Sequence, residues 1–119
     1  KTAYEIKECD WSSDVCSSDL FGPYASNNAK WMKQLIDQTR ADLKQPDLAW
    51  FISEQHKNAP WRNMDSVNTA INELARTDAR LTIIKTADIP HFVVHFGSEG
   101  TLKLGELMAD AYLKLRSTK

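Results

Sequence analysis

The sequence lacks an excess of charge of either sign: 15 basic side chains stand against 16 acidic ones, for a formal net charge of -1. Without a net field to steer association, nothing directs the chain toward nucleic acid or an anionic membrane. It also lacks any run near the roughly 18 apolar residues that a spanning helix needs, so the chain is expected to be soluble. Cysteine is confined to Cys9 and Cys16. A disulfide between them, or a metal site shared with His56, is arithmetically open. Their spacing fits no established ligand pattern, however, so neither a metal nor a cofactor is expected. A phosphate-cradling glycine loop and an acidic cluster at a strand end are both missing, which disfavours a flavodoxin-like or receiver-like domain. What remains is one small domain, since 119 residues are too few for two.

The first twenty residues differ from the rest. They show no sustained helical or alternating period, and the Ser/Asp-rich string Trp11-Ser12-Ser13-Asp14-Val15-Cys16-Ser17-Ser18-Asp19-Leu20 carries one of the two cysteines. The string resembles translated sequencing-adapter read-through. Residues 1–20 are therefore read as a non-native or disordered segment making few contacts, and 21–119 as the folded part. That part keeps 13 basic and 11 acidic residues, so the balance stays near neutral.

From Phe21 to Asn28 the chain is turn chemistry, with Ser26 or Asn27 placed to cap a helix. Met32, Leu35, Ile36 and Leu43 then fall at helical spacing, which predicts a helix from Ala29 to about Lys44, stopped by Gln45-Pro46-Asp47. Trp31, beside that stripe, is read as packing. Leu48 to Ser53 is a short, nearly wholly apolar run, the pattern of a strand buried on both faces of a helix-covered parallel sheet. The polar, turn-rich segment Glu54 to Asn63 leaves the carboxyl edge of that strand. Ligands bind at that edge in parallel α/β sheets, so Gln55, His56 and Trp61 become candidate substrate-rim residues beside the plainer reading of a solvated loop.

Met64 to about Thr77 predicts a second helix, with Val67, Ala70, Ile71, Leu74 and Ala75 inward and Asn63 or Asp65 as cap. Leu81 to Thr86 reads as a second buried strand. The rhythm of helix, strand, helix, strand and final helix calls for parallel pairing. Two strands are too few for a stable covered sheet, so the expected architecture is the C-terminal half of a three-layer α/β/α domain.

The last block is His95-Phe96-Gly97-Ser98-Glu99-Gly100, opening into a helix whose apolar face is Leu104, Met108, Ala111 and Leu115. Its histidine sits at the boundary between elements, where a titratable ring is often functional. The block resembles the C-terminal histidine block of SGNH-type esterases, in particular the carbohydrate acetylesterases that include sialate O-acetylesterases. His95, Phe96, Gly100, Leu104 and Gly105 carry that resemblance, which runs from about Ala29 to Leu115. It implies an SGNH-type parallel-sheet fold, an acetylated carbohydrate as substrate, His95 as general base, no metal, and a parent protein of a kind often secreted or periplasmic. Where the family usually has an aspartate three residues before the histidine, this chain has Phe92. The orienting acid then comes from elsewhere, with Asp88 at the mouth of the second strand as one option, or the enzyme runs a Ser-His dyad, or the site has decayed.

Ester hydrolysis by the serine route needs a nucleophile, a base and donors for the oxyanion. No Gly-Asp-Ser or Gly-Gln-Ser block and no Gly-x-Ser-x-Gly elbow is present. Ser98 is placed to cap the last helix rather than to attack. The expectation is a fragment of an acetylesterase that does not turn over by itself, with His91 as a second rim histidine. The alternative is a noncatalytic α/β binding or structural module in which His95 is structural. Which sugar is bound and which oligomer forms are not legible in the residues.

Overall fold

The computed structural model describes residues 25–56, 63–91 and 96–117. Within them the chain runs through a 3-10 turn (Ala25–Asn27), helix α1 (Asn28–Asp42), strand β1 (Trp50–Ser53), helix α2 (Met64–Thr77), strand β2 (Leu81–Ile84) and helix α3 (Ser98–Ser117). The two strands pair in parallel, with Trp50 opposite Leu81 and Ser53 opposite Ile84. This is the mixed helix-and-strand order with a small parallel sheet that the sequence rhythm called for. The segment 1–20, with both cysteines, lies outside the described residues.

Helix α2 matches its predicted bounds at both ends, and its buried face is Met64, Val67, Asn68 and Ile71. Three of the four are apolar at the three-and-four spacing that makes one helix face. Helix α1 packs on α2, α2 on β2, and α3 on β2. The core these contacts enclose consists of Ile36, Met64, Val67, Ile71, Leu81, Ile84 and Ile89.

Two expectations need correction. Strand β1 is half-buried along its whole length rather than buried on both faces. Among the described residues it has one paired neighbour, so its outer side is not enclosed. Leu35 in α1 and Leu43 just beyond its end are exposed, while Ile36 is 1 % exposed. The inward line is Met32, Ile36, Thr39 and Arg40, because Arg40 is drawn to the sheet's lower edge. Trp31 is 42 % exposed.

The end of α1 also differs in mechanism from a simple proline stop. The Gln45 N–H donates to the Arg40 carbonyl (2.9 Å) and the Lys44 N–H to the Ala41 carbonyl (3.1 Å). Lys44 between them takes a left-handed φ of 53°. This is the Schellman closure, with lysine at the position where glycine is commonest.

The amino-terminal edge of the sheet is fastened by one guanidinium. Arg40 donates through Nη1 to Asp78 Oδ2 (2.7 Å) and through Nη2 and Nε to the Leu48 carbonyl (3.0 and 3.1 Å). Asp78 also accepts the Arg80 N–H at 2.9 Å. The Arg80 carbonyl in turn accepts the Trp50 N–H at the start of the ladder, at 2.8 Å. One side chain therefore ties α1 to the approach to β1 and to the turn before β2.

Helix α3 lies against β2 with Leu104, Leu107, Met108, Ala111 and Leu115 half-buried. The face is the expected one with Leu107 added. Tyr112 meets Phe51 of β1 edge-on, with centroids 6.4 Å apart. The described part of α3 begins at Ser98, and the Gly97 carbonyl accepts the Thr101 N–H at 2.9 Å. Gly97 thus occupies the cap position, and Ser98 is the first helical residue rather than the cap.

Candidate functional site at the carboxyl edge of the sheet

Parallel pairing sends both strands out on the same edge, so segments far apart in sequence leave β1 and β2 side by side. Glu54, Gln55 and His56 leave β1, and Lys85 to His91 leave β2. The Glu54 N–H donates to the Ile84 carbonyl at 2.9 Å and the Thr86 hydroxyl to the Glu54 carbonyl at 3.2 Å. Thr86 is 1 % exposed, so this hydroxyl is a buried fastening between the two exits.

Gln55 is held by Asn68 of α2. The Asn68 carboxamide accepts the Gln55 N–H (2.8 Å) and donates to the Gln55 carbonyl (2.9 Å). The amide thereby imitates a neighbouring strand: it offers a donor and an acceptor at the spacing a backbone would. Asn68 is 8 % exposed, and both sides of its carboxamide are used. A polar residue in the middle of the Met64, Val67, Ile71 face was the available sequence signal for this contact, and sequence reasoning passed over it. One turn further along α2, Asn72 donates to Glu54 Oε1 (2.6 Å) and accepts from Lys85 Nζ (2.7 Å). Lys85 also pairs with Glu54.

Beyond these fastenings the two exits meet through their histidines. The rings of His56 and His91 stack with centroids 3.3 Å apart and planes inclined by 27°. His56 is 9 % exposed and His91 half-buried. Burial, and secondarily the nearby His91 ring, hold the His56 pKa below its ordinary value. Both effects disfavour the charged form.

Helix α3 comes close to the same segment through one glycine. A Cβ placed on Gly100 would lie 1.9 Å from the Pro90 carbonyl oxygen and 3.2 Å from Phe96 Cβ. Only a residue without a side chain permits that approach.

The expected site residues divide as follows. Gln55 and His56 lie at the carboxyl edge, and His91 joins them. Trp61, His95 and Phe92 lie outside the described residues. Asp88, the optional orienting acid, sits exposed in the turn closed by the Ile89 N–H to the Thr86 carbonyl (3.0 Å). Among the described residues no group of three or more His, Cys, Asp or Glu side chains is placed to hold a metal ion. No described helix is long and apolar enough to cross a membrane.

Parallel strands linked through a helix, with polar and imidazole groups gathered at their carboxyl edge, define an α/β domain of the kind that binds ligands beyond its strand ends. A family model described as carbohydrate esterase, sialic acid-specific acetylesterase, matches residues 17–114. The chain belongs to that family, and at the family level it is a carbohydrate esterase, a carboxylic ester hydrolase. Neither the curated proteins nor the solved structures yield a match to it.

Proposed function

We propose that this chain is the histidine-bearing part of a serine acetylesterase that removes acetyl groups from carbohydrate, with His95 as general base and the nucleophilic serine supplied by sequence beyond it. The observation that carries the reading is the family match over residues 17–114 together with the position of His95 in the chain. In sequence, His95 lies between His91 of the carboxyl edge and the α3 entry, where Gly100 packs against Pro90. In this reading the serine attacks the ester carbonyl as His95 accepts its proton. The tetrahedral intermediate then collapses, His95 returns the proton to the departing sugar hydroxyl, and water hydrolyses the acyl-enzyme by the same base. Gln55 and Trp61 form part of the substrate rim.

The test is hydrolysis of an activated acetate ester and of an O-acetylated sugar. The 119-residue chain is expected to give no turnover above that of its own His95→Ala variant. The same chain extended by its upstream coding sequence is expected to be active, and His95→Ala should then cost about 10³-fold or more in kcat. An extended chain whose activity is indifferent to His95→Ala overturns the assignment and leaves a noncatalytic module with a structural His95. A full-length chain with no serine block placed within hydrogen-bond reach of His95 would favour that second reading.

A further inference from the structure

The stacked imidazoles have a use that ester hydrolysis does not require of them. Upstream of each ring the chain is fixed by contacts that do not titrate near neutrality. Gln55 is held on both backbone groups by Asn68. Ile89 is 3 % exposed and its N–H is bonded to Thr86. His56 and His91 are therefore the last described tie between the two exits before segments 57–62 and 92–95.

We propose that His56 and His91 form a pH-sensitive latch, which joins the segment leaving β1 to the segment leaving β2 while at least one ring is neutral and opens when both become charged. A neutral ring stacks on its neighbour at little cost, and one charged ring tolerates a neutral face. Two imidazolium ions at a 3.3 Å centroid separation repel strongly in a partly dry site.

Among the described residues, no acidic group figures in what moves His56, which is burial and His91. Glu54, at the end of β1, is engaged by Lys85 and Asn72. Asp65 in the first turn of α2, Asp88 on the β2 exit and Glu99 in the first turn of α3 are all exposed to solvent, where water screens them. Burial and His91 are the influences that move His56, and both act against its protonation. The latch stands whether or not His95 is the catalytic base. Its consequence for turnover rests on that reading, because the β2 exit leads in sequence to His95.

The test uses the whole 119-residue chain. Histidine ring resonances are followed by NMR from pH 8 to 4.5, and amide exchange of residues 55–56 and 86–91 is measured at pH 7.5 and 5, corrected for intrinsic rate. His56 is expected to titrate below 6.5, and His91→Gln to move its midpoint upward. Exchange at these amides should rise tenfold or more at the lower pH in the wild type and stay flat in His56→Phe/His91→Phe, whose rings stack without titrating. Should the double variant not fold, His91→Gln alone should reduce the acid-induced rise. His95→Ala should leave the titration and the exchange unchanged, which separates the latch from the identity of the base. A His56 midpoint at or above 6.5, or an acid-induced rise undiminished in His91→Gln, overturns the proposal.

Discussion

Two glycines five residues apart in α3 are opposite in kind once placed in space. Both carried the sequence resemblance, yet a Cβ on Gly100 would collide with the Pro90 carbonyl at 1.9 Å, while one on Gly105 would meet nothing within 4 Å. Gly100→Ala is therefore expected to displace α3 from the β2 exit and to destabilise by about 3 kcal/mol, the upper part of the usual overpacking range. Gly105→Ala, in mid-helix, should stabilise by about 1 kcal/mol. Urea midpoints of the two variants check both signs, and a Gly100→Ala variant as stable as the wild type would dismiss the close approach. Asn68 makes the complementary point about what residues conceal. It interrupts an apolar stripe, and only the fold reveals that its amide meets both backbone groups of Gln55. Replacing it with the similarly sized Leu strands one donor and one acceptor in a half-buried place, at an expected cost of about 2 kcal/mol, with faster exchange of the Gln55 amide as the local sign.

Helix α2 was the most legible element, because strong periodicity from Val67 to Ala75 and polar residues at both ends agree on its bounds, Met64–Thr77. Helix α1 was legible in place but not in rotation. Its four large apolar residues span more than one face, and the choice among them was made by Arg40, whose bonds to Asp78 and Leu48 turn Leu35 and Leu43 outward. Long-range pairing of that kind has no local signature. The strands were read too long, since apolar residues such as Leu48 continue past the last ladder bond. The carboxyl-edge histidines were each visible as rim candidates, but their contact depends on parallel pairing that brings the two exits together. At α1's end, Lys44 occupies a left-handed position where a side chain costs roughly 1 kcal/mol. Lys44→Gly is accordingly expected to raise stability by about that amount without moving Gln45 or Leu48. A drop in thermal midpoint would show that the aliphatic stem of Lys44 contributes more than its backbone costs.

Across the whole molecule the short sheet is fastened at its two ends by different chemistry, and pH separates them. At the amino-terminal edge the bidentate hydrogen bonds from Arg40 are the main reason that the Asp78 carboxyl lies below its ordinary value. The Arg80 N–H and the positive charges nearby add to the effect, and burial partly opposes it. A carboxyl depressed in the folded state gives stability that is fully present above its unfolded pKa, near 4, and lost as the pH falls through the folded value. His56, at the other edge, is also depressed on folding, chiefly by burial and then by His91. A depressed histidine resists a proton that the unfolded chain accepts, so its effect is absent above about 6.5 and destabilises as the pH drops below that. Acid should thus weaken the fold in two steps, one beginning near pH 6.5 and one below about 4. Urea midpoints from pH 8 to 3 resolve them. His91→Gln should shrink the first step and leave the second. Arg40→Gln should cost about 2 kcal/mol at pH 7, because both Asp78 and the Leu48 carbonyl lose a partly buried donor, and should flatten the second step while leaving the first. If Arg40→Gln loses stability below pH 4 as steeply as the wild type does, the guanidinium is not what holds Asp78 ionised, and the amino-terminal fastening must be sought in the backbone bonds alone.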